Sequence, residues 1–157
     1  NDAFDSEIEV FGGKKHTFEN EVGLDVGLIA NTFHGNRFSD DFNYVELQTA
    51  VSYEGFVASV NFTDDFMGSD LHQFTTKLSY TEAVSKGFIN VSVSLINNEE
   101  NIYLGEDSYA AWEVGYLHPV SKDLDLSLSY VGTDLDDDLD MDNIAQDGIV
   151  AGLNWKF

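Results

Sequence analysis

Apolar residues alternate with small or polar ones along most of the chain, with a period of two and almost no helical period. Successive side chains of a strand point to opposite faces, so such runs predict strands with one apolar face. The first clear run sets Val22, Leu24, Val26, Leu28 and Ala30 against Gly23, Asp25 and Gly27. Equivalent runs reach from Val45 to Tyr53, Phe56 to Phe62, Phe74 to Tyr80 and Ile89 to Leu95. Three more follow, from Ala110 to Tyr116, Leu124 to Tyr130 and Ile149 to Phe157, which makes eight predicted strands within residues 18–157.

The connections between these runs alternate in length. Linkers at 33–42, 64–70, 97–108 and 134–147 are long, and turns at 54–55, 82–87 and 118–123 are short. An even number of antiparallel strands, joined by short turns at one end and long loops at the other, is the pattern of a transmembrane β-barrel with both termini on the periplasmic side. The all-β fold predicted is therefore an antiparallel up-and-down transmembrane β-barrel of eight strands. Aromatic residues on the apolar parity fall at strand ends, as two interfacial girdles require. Phe18, Tyr53, Phe56, Tyr80, Tyr116, Trp155 and Phe157 mark the turn end, and Phe62, Phe74 and Tyr130 the loop end. A soluble barrel would turn the apolar parity inward. The opposite parity is mostly Gly, Ala, Ser, Thr, Asn and Gln, too poor in charge for a water-facing surface.

Residues 1–17 stand apart from these eight strands. Phe4, Ser6, Ile8 and Val10 alternate with Asp5, Glu7 and Glu9, so an extra strand-like piece precedes the barrel at 18–157. It is expected to be a periplasmic tail or rim strand; the sharper expectation is that residues 1–12 pair with another protein chain or plug the lumen. The acidic start at Asn1 is read as that of a processed chain. The chain has no apolar run of about 18 residues for a membrane helix. Its mean hydropathy of -0.20 is no obstacle to strands that present only every second residue to lipid. Cysteine is absent, which excludes disulfides and thiolate metal sites.

Charge changes the picture at one end. Against 29 Asp and Glu there are 7 Lys and Arg, a net charge of -22. The carboxylates crowd the long linkers, whereas Lys14, Lys15, Lys86, Lys122 and Lys156 map to the turn end. An anionic crown repels nucleic acid and attracts cations. Within the acidic run from Asp134 to Asn143, Asp136, Asp138, Asp140 and Asp142 are candidate ligands for weak Ca²⁺ or Mg²⁺ binding, which could bridge the loops to lipopolysaccharide phosphates. An EF-hand frame starting at Asp138 fails, because Asn143 stands where glycine is needed and Ile149 where the bidentate glutamate belongs. No other cofactor is expected.

The inward parity carries Asp25, Glu46, Glu113 and Asp125 together with Lys77 and Lys156. Charges inside a barrel this narrow must pair, so Lys77 is expected to contact Glu46 or Glu113. A register-fixing salt-bridge network is preferred to a conducting path. For an enzyme acting on lipids the candidates are Ser69, Asp70 and His72 in one loop and His34 in another. Their spacing marks no nucleophile with its base, and no catalysis is expected.

The alternating strands, the girdles and the ending Ile149-Val150-Ala151-Gly152-Leu153-Asn154-Trp155-Lys156-Phe157 resemble small bacterial outer-membrane β-barrels of the eight-stranded OmpA/OmpX-type architecture. In those proteins the terminal aromatic belongs to the signal read by the outer-membrane assembly machinery. The resemblance implies that role for Trp155 and Phe157, and a place in the outer membrane of a Gram-negative bacterium. The segment Asn43-Tyr44-Val45-Glu46-Leu47, with Gly55-Phe56 and Gly87-Phe88, is also similar to repeats of an outer-membrane family called Gcw_chp, which brings no known activity. The expected function is a non-enzymatic, porin-like outer-membrane barrel with acidic outer loops and a structural, interaction or assembly role. Alternatives are a small cation-preferring channel or uptake component, and a lipid-modifying enzyme.

Overall fold

The computed structural model describes residues 6–35, 42–98, 107–135 and 147–155. They form one sheet of nine strands, each hydrogen-bonded to its neighbours in sequence and antiparallel to them. The strands are β1 (Ser6–Thr17), β2 (Gly23–His34), β3 (Tyr44–Tyr53), β4 (Phe56–Thr63) and β5 (Gln73–Val84). β6 (Gly87–Asn98), β7 (Ser108–Pro119), β8 (Leu124–Thr133) and β9 (Gly148–Trp155) complete the sheet. A single 3-10 turn, Phe66–Gly68, interrupts the connection from β4 to β5.

Two expectations are corrected here. Residues 6–17 are a full member of the sheet, paired with β2 at every position from Ser6↔His34 to Thr17↔Gly23. The reversal between them is tight: the Phe18 amide donates to the Val22 carbonyl at 2.9 Å, and Glu21 takes up a φ of 66°. The strand count is therefore nine. Because Ser6 lies opposite His34, the amino-terminal strand begins at the long-loop end, and Ser6 and Trp155 lie at opposite ends of the sheet. Among the described residues β9 does not pair with β1, so the sheet is not closed into a barrel.

The short turns use the chemistry their geometry demands. Glu54 and Gly55 both have positive φ, 46° and 86°, which matches the type I′ reversal favoured in two-residue hairpins and sets Tyr53 against Phe56. Register carries one row of residues across all nine strands: Thr17, Gly23, Ser52, Val57, Ser79, Ser92, Glu113, Val131 and Gly148. That row leaves from the turn end of β1 and arrives at the loop end of β9, so the strands are staggered in one direction throughout.

A sheet with no second layer can bury a residue only by curling round it. The buried residues Ile29, Asn31, Phe33, Thr63, Ser92, Ile96 and Asp125 all lie on one face of the register. This face is the concave one, and it is the small and polar parity of the sequence. No side chain among the described residues is completely buried. The fold holds together through its strand ladders rather than an oily core.

Candidate functional site

The two faces of the sheet are chemically opposite. Among the described residues thirty large apolar or aromatic side chains are exposed, and three are buried. Val26, Leu28, Val45, Leu47, Leu78, Val91, Val93, Leu95, Leu126 and Leu128 form the middle of the exposed band, all on the convex parity. This band is the candidate functional surface, because soluble monomers seldom expose contiguous apolar patches beyond a few hundred Å².

Aromatic rings stand at both ends of the band. At the turn end Tyr53, Phe56, Tyr116 and Trp155 are exposed. Tyr80 packs on Phe56 with ring centroids 4.5 Å apart, and its hydroxyl donates to the Glu82 carboxylate. At the loop end Phe62 packs on His72 at 5.9 Å, and the Tyr130 hydroxyl donates to Asp147. These rings keep their bodies on the apolar band and their polar tips beyond it. Phe157 and Lys156 lie outside the described residues.

Among the described residues the concave face carries Asp25, Glu46, Lys77, Glu113 and Asp125, five of the six predicted charges. Glu46, near the loop end of β3, accepts from the Asn61 amide at 2.7 Å, and the Asn61 carbonyl oxygen accepts from Gln48 at 3.3 Å. Asp25 sits opposite Lys15 and Ala50, and Asp125 is buried opposite Pro119 and Asn154. Among the described residues no ion pair joins Lys77 to Glu46 or Glu113. Register explains it: Lys77 lies opposite Ser59 and Ser94, with Glu46 on β3 and Glu113 on β7, each two strands away. Two strand spacings are about 10 Å of lateral separation. Lys122 pairs with Asp123 at 3.7 Å on a solvent-exposed turn.

The remaining candidates divide by place. Asp136, Asp138, Asp140 and Asp142 lie outside the described residues. Among the described residues no group of three or more His, Asp and Glu side chains gathers as a metal sphere. The Ser69 hydroxyl donates to the Phe66 carbonyl, and the Asp70 amide donates to Asp65, so both residues serve the loop's own turn. No helix among the described residues is long and apolar enough to cross a membrane, which says nothing of strands.

At the loop end of the concave face no single segment of the sequence marks a site. There Tyr44 stacks on Phe33 at 6.2 Å and takes the edge of Phe66 at 5.4 Å. Tyr44 shares its face of β3 with Glu46 and lies opposite Asn31, which in turn pairs with Glu9, with Glu7 opposite Phe33. The available signal was parity: Asn31, Tyr44, Glu7 and Glu9 all fall on the polar side of the alternation.

Residues 2–155 match a bacterial family described as "Bacterial protein of unknown function (Gcw_chp)". The match spans all nine strands. No curated protein and no solved structure matches the chain.

Proposed function

The chain belongs to the Gcw_chp family, and from that premise we propose that it is a non-catalytic protein of the bacterial outer membrane. Its sheet is the wall of a transmembrane β-barrel, and its acidic loop end faces outward to meet partners. The observation that carries this reading is the inverted distribution of large apolar groups, thirty exposed and three buried among the described residues, with the exposed band on the convex face. Water would penalise that band along its whole length; hydrocarbon would not. The one-way stagger of the register supports the reading too, since strands must incline for a sheet to curl into a barrel.

Hydrocarbon imposes a further demand. Unpaired backbone groups cannot stand there, so β1 and β9 each need a strand at their free edge, from each other or from another chain. The charge distribution orients the protein: Lys86 and Lys122 lie in the short turns, and carboxylates dominate the loops. Lipopolysaccharide, with Ca²⁺ or Mg²⁺ between its phosphates and the acidic loops, is the lipid partner this orientation suits. Fractionation of bacterial envelopes tests the proposal. The protein should resist carbonate extraction, sediment with the outer membrane and change gel mobility on heating; release into the soluble fraction with a single mobility would end it.

A second reading rests on the concave face, where Asp25, Glu46, Glu113 and Asp125 outnumber Lys15 and Lys77. A small cation-preferring channel would follow. Planar-bilayer recordings should then give cation-selective steps that Glu46→Gln reduces, and a silent bilayer rejects it.

A further inference from the structure

We propose that the loop end of the concave face binds an organic cation bearing primary ammonium groups, at Glu7, Glu9, Asn31, Tyr44 and Glu46. Register brings them together: Asn31 on β2 lies between Glu9 on β1 and Tyr44 on β3, while Glu7 lies opposite Phe33 and Glu46 opposite Ile29. Among the described residues none of the three glutamates is in an ion pair. Asn31 supplies an independent observation. Its side chain, on the concave face, is only 4% exposed, and among the described residues its amide has no hydrogen-bond partner. A buried amide left unpaired is costly, and it asks for a ligand that it can bond.

The chemistry selects the class of cation. A metal ion needs its oxygens gathered at about 2.3–2.6 Å from one point. Glu9 and Glu46 stand on either side of β2, their backbones about 10 Å apart, and no metal sphere gathers among the described residues. A cation with several ammonium groups holds them several bonds apart, each donating up to three hydrogen bonds, and so reaches acceptors spread in this way. The Phe33, Tyr44 and Phe66 rings stand beside the carboxylates, and aromatic faces favour organic cations. The proposal does not depend on the membrane reading, because every residue it uses comes from this chain and this sheet.

Calorimetric titration of the full chain, folded in detergent, with spermidine at fixed ionic strength is the test, with MgCl2 titrated in parallel. Saturable spermidine binding is expected, weakened about tenfold by Glu46→Gln and about tenfold by the double variant Glu7→Gln with Glu9→Gln. Replacing Asp136, Asp138, Asp140 and Asp142 by Asn should leave it in place. Loss of binding in that loop variant, with retention in the glutamate variants, would assign the affinity to the acidic loops and overturn the site. So would Mg²⁺ binding of equal strength and equal dependence on Glu46, or no spermidine binding at all. If Glu46→Gln loses its strand circular dichroism, the double variant at exposed positions of β1 decides the matter alone.

Discussion

Lys77 and Leu78 are neighbours in β5, and they stand for the two faces of the molecule. Leu78 is half exposed, in the middle of an apolar band with no protein above it. Lys77 is less exposed, between Ser59 and Ser94 on the curled polar side. In a water-soluble protein the assignments would be exchanged. The difference teaches that burial in this fold comes from the curl of one layer, and that the solvent of the convex face is what must be established.

Substitutions at this pair and its surroundings should separate in size. Leu78→Lys has the largest expected effect: if the exposed apolar band meets lipid as proposed, it should cost about 2–4 kcal/mol at the middle of that band, read by urea unfolding in lipid vesicles. A soluble sheet would tolerate the same change. Next comes crowding of the concave face. A Cβ added at Gly27 would stand 2.5 Å from the Phe11 ring, so Gly27→Val should cost about 1–3 kcal/mol in the same assay. Gly55→Ala, outside both faces, should cost about 1–2 kcal/mol because its φ of 86° is left-handed, and the same unfolding curve measures it. Lys77→Met should fall within about 0.5 kcal/mol, since no ion pair of Lys77 forms among the described residues. A larger loss at Lys77 would mean that a charge network exists on the concave face after all.

The alternation made strands β2 to β9 legible, because a period of two survives in residues such as Val91, Val93 and Leu95 whatever their surroundings. Turn and loop lengths gave the connectivity for the same local reason, as at Glu54 and Gly55. β1 was harder to place. Gly12, Gly13, Lys14 and Lys15 break its apolar parity, and only pairing with β2 makes it a strand of the sheet. Pair partners were the least legible part. Lys77 has acceptable acids on both sides in sequence, but their distance depends on every intervening register. The group around Tyr44 stayed hidden because three strands and the Phe66 turn contribute to it, and no short motif spans them.

The absence of cysteine makes the decisive measurement clean, since a single introduced thiol labels one site. Spin labels at Leu78→Cys and Lys77→Cys, with the protein folded into lipid vesicles, should report opposite environments. The account predicts relaxation dominated by lipid-soluble oxygen at position 78 and much weaker oxygen contact at position 77. Equal access of a water-soluble nickel chelate to both positions, or greater access at 78, would contradict it.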